Sequence, residues 1–183
     1  MEEMLIWVDE NDNQTGSGEK LYTHQIGQLH RAFSVFLYDR VKQEMLIQKR
    51  AYGKYHSGGK WSNACCSHPR LGQTLEEAVK IRLPYELGVG LEGTLVECGS
   101  FVYFADFGDL SEHELDHVFL NEVNKEDVVI DRFREDEIAE LQWIGIKELE
   151  TWMKDRPEDF SAWFFPAYEK VKPYINAFSC VDK

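Results

Sequence analysis

The sequence lacks the features that mark membrane-spanning and secreted proteins. It contains no run of about 18 apolar residues, so no helix is predicted to span a bilayer. Its acidic start, MEEMLIWVDENDN, has no basic segment ahead of an apolar stretch, which excludes a secretory signal there. We therefore expect a cytoplasmic protein with no membrane partner.

Cysteine pairs with redox or zinc-site spacing are also lacking. The chain has four cysteines, and none of them forms a C-x-x-C motif: Cys65, Cys66, Cys98 and Cys180. In a reducing compartment such cysteines are free thiols by default, so no disulfide framework is predicted.

Basic residues are in the minority. Lysine and arginine number 20 against 33 aspartates and glutamates, and the net charge of −13 argues against a nucleic-acid partner. The distribution is uneven, because residues 31–70 hold eight basic and two acidic residues, a local charge of +6. This segment could bind a small anion, or it could be ordinary solvated surface, and charge alone leaves both interpretations open.

Length and hydrophobic patterning predict one mixed domain covering residues 1–183. Strand-like runs occupy residues 4–9, 31–39, 44–50, 91–107, 114–123 and 138–146, with 31–39 and 44–50 forming a hairpin and 11–18 a turn-rich loop. A helix is predicted to follow Thr74 and to stop at Gly88, because Thr74 and Glu77 form a capping box. A second helix covers 146–154, and a third segment, 160–178, is interrupted by Pro166 and Pro173. The order along the chain, several strands, a helix, several more strands and then helices, favours a mixed α/β sandwich.

Two acidic residues in the stretch SEHELDHVF are the first candidates for chemistry. If the stretch is a strand, Glu112 and Glu114 project from one face and His113 from the other. Two neighbouring carboxylates repel each other unless they share a cation or a proton. The alternative is a solvent-exposed acidic edge.

The stretch WSNACCSHPR, residues 61–70, is the second candidate. One cysteine could be a nucleophile or base, the other could pack, and His68 could bind a metal whose charge favours a thiolate. The alternative is a packed turn. On the predicted helix, Arg82 and Glu86 are four residues apart and share a face. They form an ordinary ion pair, or else Arg82 binds an anion and Glu86 a divalent cation. Pro84, between them, is expected to kink the helix.

Together, LHRAFSVFLYD, WSNACCSHP, YELGV and EHELDHVF, in this order, resemble the type I isopentenyl-diphosphate isomerases of the Nudix superfamily. The resemblance extends from about Lys20 to Trp163. It implies a Nudix-like α/β/α sandwich with a mixed β-sheet. It also implies an enzyme that converts isopentenyl diphosphate to dimethylallyl diphosphate through a tertiary carbocation.

The Nudix motif itself is incomplete. Of the glutamates in the pattern G-x5-E-x7-R-E-U-x-E-E-x-G-U, where U is a bulky aliphatic residue, only Glu86 is present, although Leu83, Gly88 and Val89 also fit. Nudix hydrolases use these glutamates to hold several cations and activate water. One glutamate is a poor basis for hydrolysis, so a Nudix diphosphohydrolase is the weaker hypothesis. A non-catalytic, metal-stabilised domain that binds phosphorylated ligands is a third.

The resemblance also implies a set of site residues. Cys66 and Glu114 would be catalytic, with Tyr103 near Glu114, Trp163 facing the hydrocarbon and Cys65 packing. One divalent metal, Mg, Mn or Zn, would be held by His24, His30, His68, Glu112 and Glu114. Glu86 would ligate a Mg²⁺ carried on the diphosphate, which would be contacted by Lys20, Arg50, Lys54 and Arg82. The expected partner is a small isoprenoid diphosphate, and the expected assembly is a monomer or weak dimer.

Overall fold

In the computed structural model, which describes residues 3–54, 56–90 and 93–179, the strands form one mixed sheet with helices on both faces. The strands are β1 (Met4–Val8), β2 (Gln14–Glu19), β3 (His30–Asp39), β4 (Glu44–Arg50), β5 (Trp61–Asn63), β6 (Cys65–Ser67), β7 (Leu95–Asp106), β8 (Ser111–Glu122) and β9 (Ile138–Gly145). The helices are α1 (Lys20–Gln25), α2 (Leu75–Leu87), α3 (Ile146–Asp155) and α4 (Phe164–Ser179), with 3₁₀ turns at Lys125–Asp127 and Pro157–Asp159.

The strands and helices predicted from patterning are present, with differences of a few residues at their ends. Residues 91 and 92, where one predicted strand begins, and Cys180 lie outside the described residues. Within the described part of the chain, no helix has the length and apolar character needed to cross a lipid bilayer.

Strand β3 lies at the centre of the sheet. It runs parallel to β8, with His30 opposite Glu114. On its other edge it pairs in turn with β1, β6 and β4, and the antiparallel β4 pairing (Leu37 opposite Leu46) confirms the predicted hairpin. The β6 register places Cys66 opposite Ser34. The sheet therefore brings residues from three distant parts of the sequence to one end of β3.

Alternation along β3 divides the core into two layers. Phe33, Val35 and Leu37 pack with α2 on one face. Phe36 and Tyr38 pack with α3 and α4 on the other. Because side chains of a strand alternate between faces, an apolar run such as this one is expected where helices cover both sides. The predicted α/β/α sandwich with a mixed sheet is confirmed.

Helix α2 begins and ends as its sequence predicts. Thr74 and Glu77 form the reciprocal capping box, and Gly88 ends the helix with φ of 71°. The helix continues through Pro84, which lies on its exposed side. A proline cannot donate to the carbonyl of Lys80, but solvent can hydrate that carbonyl on an exposed face. Glu86 therefore keeps its helical position.

Two predictions about local structure were wrong. Residues 14–18 belong to strand β2 and not to a loop, because Gly16 and Gly18 make room for the indole of Trp7 on β1. A Cβ on Gly18 would lie only 2.2 Å from Trp7 Cζ2. Helix α4 is also continuous through both of its prolines. Pro166 is the third residue of α4, where a missing N–H costs little. The short helix α1 was not predicted.

Candidate active site

The residues singled out in the sequence converge on one cavity at the end of β3. Its lining includes both catalytic candidates, the four basic candidates, and several residues without a predicted role: Lys20, Phe33, Arg50, Lys54, His56, Cys66, Ser67, His68, Arg82, Tyr103, Glu112, Glu114, Asp116, Glu137 and Trp163. The remaining candidates, His24, His30 and Glu86, are buried directly behind this lining.

Three histidines and one carboxylate form a tight cluster beside the cavity. One ligand atom from each of His24, His30, His68 and Glu114 lies within 4.8 Å of the others. His24 comes from α1, His30 starts β3, His68 follows β6 and Glu114 lies on β8. His68 Nε2 is 2.8 Å from Glu114 Oε1, and His30 Nε2 is 3.6 Å from the same oxygen.

The orientation of the imidazole rings suits a metal site. His24 Nδ1 lies 2.6 Å from the carbonyl of Lys20, and His30 Nδ1 lies 2.8 Å from the carbonyl of Gln28. Because a carbonyl can only accept, Nδ1 carries the proton in both rings and Nε2 presents its lone pair to the cluster. Backbone partners of this kind fix the tautomer of metal-ligating histidines. Three imidazole nitrogens and a carboxylate fit a divalent transition metal better than calcium.

The pKa shifts of His68 and Glu114 also favour metal binding. Burial lowers the pKa of His68 to about 3, against the opposing pull of Glu114. Burial raises the pKa of Glu114, but His68 and His30 outweigh it and hold that pKa well below 4.5. Neutral imidazoles with an ionised carboxylate are the protonation states in which these side chains bind metal.

Glu112 points to the same face as Glu114 but lies outside the group of four. Its Oε2 accepts a hydrogen bond of 2.7 Å from the Tyr103 hydroxyl, which is also 3.0 Å from Glu114 Oε2. Its Oε1 is 2.7 Å from His56 Nε2. His113 projects to the other side of the strand, with Nδ1 2.9 Å from the carbonyl of Gly27. The predicted alternation along β8 is therefore confirmed.

Cys66 faces the cavity from β6, whereas Cys65 is fully buried against α2. The Cys66 thiol donates to Asn63 Oδ1 at 2.9 Å and accepts a hydrogen bond of 3.1 Å from Trp163 Nε1. Burial raises the pKa of Cys66 to about 12, although the contact with the Ser62 hydroxyl lowers it in part. The protein's own groups thus favour the neutral thiol, whereas one of the two interpretations of the sequence has a metal bound by His68 that favours the thiolate.

The four basic candidates differ in how they are paired. Arg82 forms an ion pair with Glu86, and Lys54 forms one with Glu137, whose Oε1 also lies 3.5 Å from Arg82 Nη2. Burial raises the pKa of Glu86, and Arg82 opposes this effect. The other two make different contacts. Lys20 pairs with Glu3 at 3.2 Å, and the Arg50 guanidinium lies 5.0 Å from the centre of the Trp163 ring.

Several residues of the site had no role in the sequence interpretation, and four of them make polar contacts there. Asn63 binds the thiol of Cys66, His56 and Glu137 contact predicted site residues, and the buried Asp116 accepts a hydrogen bond of 2.7 Å from Ser34. Their partners are mostly distant in sequence, so no spacing pattern signals them. Asp116 within the apolar run LDHVFL was the one visible signal, since an ionisable residue in a buried strand needs a partner.

The fold and the cluster place the chain among Nudix-type proteins, and comparison with known proteins supports this class. The NUDIX domain family matches residues 28–164. Among solved structures, DR0079 from Deinococcus radiodurans superimposes with a TM-score of 0.71 at 19% identity, covering 94% of this chain and 99% of that one. A MutT NUDIX hydrolase from Burkholderia pseudomallei gives a TM-score of 0.60 at 19% identity, with coverages of 79% and 98%. At this identity the two structures support the fold alone.

Curated relatives narrow the assignment. "Isopentenyl-diphosphate Delta-isomerase 2" of Photorhabdus laumondii is 40% identical over 183 residues, covering 100% of this chain and 96% of the relative. "Isopentenyl-diphosphate Delta-isomerase" of Photobacterium profundum is 46% identical over 168 residues, covering 90% and 91%. The chain belongs to the NUDIX family and, within it, to the isopentenyl-diphosphate Delta-isomerases.

Proposed function

We propose that this protein isomerises isopentenyl diphosphate to dimethylallyl diphosphate, a step of isoprenoid biosynthesis. One observation carries the proposal beyond family membership. The same cavity is lined by a thiol, by a carboxylate of the histidine cluster and by four basic side chains: Cys66, Glu114, Lys20, Arg50, Lys54 and Arg82. This combination suits a substrate with a diphosphate at one end and a short hydrocarbon at the other.

The chemistry requires two proton-transfer groups. One proton is added to the terminal alkene carbon and another is removed from the carbon nearer the oxygen, through a tertiary carbocation. We assign these transfers to Glu114 and Cys66, which reach the cavity from β8 and β6. An alkene is a very weak base, so the acid must be well placed and shielded from water. Trp163 is 3% exposed and places an indole beside the thiol, where it can stabilise a cation.

The remaining candidates act on the diphosphate and on the metal. Lys20, Arg50, Lys54 and Arg82 bind the diphosphate, and this remote binding energy positions the alkene. Glu86 helps to hold a Mg²⁺ that arrives with the substrate. His24, His30, His68 and Glu114, joined by Glu112, hold one divalent ion, Mg, Mn or Zn. When bound, this ion supplies positive charge that fixes the Glu114 carboxylate.

An isotope experiment tests the reaction. Isopentenyl diphosphate is incubated with the protein and Mg²⁺ in D₂O, and the products are followed by NMR. We expect dimethylallyl diphosphate that carries deuterium on carbon, with no release of inorganic phosphate. Phosphate release without isomerisation would support a Nudix diphosphohydrolase instead.

Two variants test the assigned residues. Cys66→Ala and Glu114→Gln are each expected to abolish turnover almost completely, with metal content measured alongside because Glu114 is a proposed ligand. Cys65→Ala is the matched control, since the neighbouring thiol is buried against α2 and does not line the cavity. Normal turnover in Cys66→Ala would contradict the assignment. If both active-site variants bind the substrate and retain the protein's biological activity, the non-catalytic binding domain becomes the better interpretation.

A further inference from the structure

His56 lies in the loop between β4 and β5, of which the structure describes residues 51–54 and 56–60, and its side chain lines the cavity. The loop is closed by hydrogen bonds from Gly59 N to Arg50 O (3.0 Å) and from Lys60 N to Ser57 O (3.2 Å). Gly58 is required for this tight path, because a Cβ there would lie 2.8 Å from the carbonyl oxygen of Tyr52. His56 itself is only 8% exposed although it belongs to a loop.

The imidazole of His56 is held by three neighbours. It stacks on Phe107, with ring centres 5.3 Å apart and planes at 25°, and meets the edge of Trp163 at 6.0 Å. Its Nε2 is 2.7 Å from Glu112 Oε1. An ionised carboxylate can only accept, so Nε2 carries the proton of this contact. The ring is thus oriented by packing and directed at one carboxylate oxygen.

The same carboxylate competes for the proton of Tyr103. The Tyr103 hydroxyl is 2.7 Å from Glu112 Oε2 and 3.0 Å from Glu114 Oε2, yet it has one hydrogen to donate. A second hydrogen bond to Glu112 shares the negative charge of this carboxylate and weakens its hydrogen bond to the Tyr103 hydroxyl. His56 is that second donor, and it leaves the Tyr103 hydroxyl available to Glu114.

We propose that His56 is a positioning residue, which fixes the Glu112 carboxylate and thereby the hydrogen bond between Tyr103 and Glu114. The role in turnover rests on the proposed isomerase function. The role toward the metal does not, because a hydrogen-bonded carboxylate is held in one orientation for any cation beside it. Loss of such an outer partner typically costs about 10–100-fold in metal affinity or activity.

The test uses two substitutions that both keep a side chain in the space between Phe107 and Trp163. His56→Leu can pack but cannot donate, whereas His56→Gln can place an amide N–H near Glu112. We expect His56→Leu to lower kcat by about 10–100-fold and to weaken Mn²⁺ binding to the metal-free protein by a factor in the same range. KM should change little, because the proposed diphosphate contacts come from other residues. His56→Gln should recover most of both losses.

The control is His113→Leu, which changes a histidine on the opposite face of β8, where it contacts the carbonyl of Gly27. It is expected to lower kcat and Mn²⁺ affinity much less than His56→Leu does, because the contact it removes lies on the face of β8 away from Glu112 and Glu114. If His56→Leu retains both quantities, or if His56→Gln fails to recover either, the proposal is overturned. Absence of isomerisation in the unmodified protein would instead contradict the proposed function. The Mn²⁺ affinities would still show whether His56 positions Glu112.

Discussion

Asn63 is the residue that connects the Cys66 thiol to the sheet. Its Nδ2 donates to the carbonyls of Val35 (3.1 Å) and Cys65 (2.8 Å), and its Oδ1 accepts from Cys66 Sγ. The indole N–H of Trp163 is shared, because Nε1 lies 3.1 Å from Cys66 Sγ and 3.3 Å from Asn63 Oδ1. The side chain of Asn63 is fully buried, so water does not replace these partners. A single amide thus fixes both the β5–β6 connection and the direction of the thiol.

We expect Asn63→Ala to destabilise the protein measurably. Each buried polar group left without a partner costs about 1–3 kcal/mol, and the substitution removes the donor to two carbonyls. Urea unfolding would measure the loss of unfolding free energy. Asn13→Ala is the control, because Asn13 makes its side-chain hydrogen bonds to Asp9 at an exposed position and should change stability by less than about 0.5 kcal/mol. Equal stabilities of the two variants would refute the structural role of Asn63.

At the scale of elements, helix α2 contains a proline that its environment tolerates but does not need. In a helix interior, proline is about 3 kcal/mol less favourable than alanine. Proline also lowers the conformational entropy of the unfolded chain, but this stabilises a protein by only about 0.4–1 kcal/mol where the native backbone fits the proline ring. Because the first figure exceeds the second, Pro84 is a net cost to α2.

Pro84→Ala is therefore expected to raise the unfolding free energy by about 2–2.6 kcal/mol. Restoring the amide also restores a donor for the carbonyl of Lys80. The matched control is Pro166→Ala in the first turn of α4, where the amide has no helical partner to gain and stability should stay equal or fall slightly. Chemical denaturation of both variants measures the difference. A less stable Pro84→Ala protein would show that the proline is required in α2.

Strand β2 depends on a close approach between two elements. Trp7 of β1 covers Gly18 of β2, and the Trp7 indole nitrogen donates to Thr23 of α1 at 2.9 Å. Helix α1 also carries Lys20 and His24 of the candidate site. A change at Gly18 is therefore transmitted through Trp7 to the helix that supplies both residues.

Gly18→Ala is expected to lower the unfolding free energy by about 1–3 kcal/mol, the usual cost of overpacking, because the new Cβ overlaps the indole of Trp7. Gly53→Ala serves as its control, since a Cβ on Gly53 meets no atom within 4 Å. Thermal unfolding of the two alanine variants would measure the contrast. The close approach would be unimportant if both variants melted together with the unmodified protein.

At the scale of the whole molecule, the sequence predicted interactions that are local and missed those that are not. The capping box of Thr74 and Glu77 lies within one helix and was predicted from spacing. The ion pair of Arg82 and Glu86 lies within the same helix and was one of the two arrangements that spacing allowed. Strand β2 was missed because its glycines look like a turn until Trp7 is known to cover them. No local periodicity in the sequence relates Gly16 and Gly18 to the Trp7 indole that packs on them.

The candidate site follows the same rule. Its histidine cluster joins α1, β3, the segment after β6 and β8, and only the family resemblance brought these residues together before the structure did. His56 and Glu112 are separated by 55 intervening residues in the sequence, so neither spacing nor composition indicates their contact. The raised pKa of Cys66 also depends on burial, which a sequence motif does not specify.

The edge of the site is also linked to the stability of the molecule in acid. Glu3 pairs with Lys20 at 3.2 Å and with Arg70 at 2.8 Å, joining the segments before β1, in α1 and after β6. Burial raises the pKa of Glu3, but Lys20 and Arg70 outweigh it and lower that pKa from 4.5 to about 2. Since the folded state holds this carboxyl ionised more strongly than the unfolded chain does, the pair stabilises the protein above pH 4.5. The contribution is lost as the pH falls from 4.5 toward 2.

Glu3→Gln should therefore lower stability at pH 7 by no more than about 1 kcal/mol, because the pair is partly exposed and screened by solvent. The difference from the unmodified protein should shrink steadily below pH 4.5 and vanish only below about pH 2. Urea unfolding of both proteins at a series of pH values measures this difference directly, and other titrating groups cancel in the comparison. Glu10→Gln, at an exposed position, is the control and should shift stability little at any pH. A gap between Glu3→Gln and the unmodified protein that stays constant down to pH 3 would mean that the ion pairs of Glu3 do not stabilise the fold.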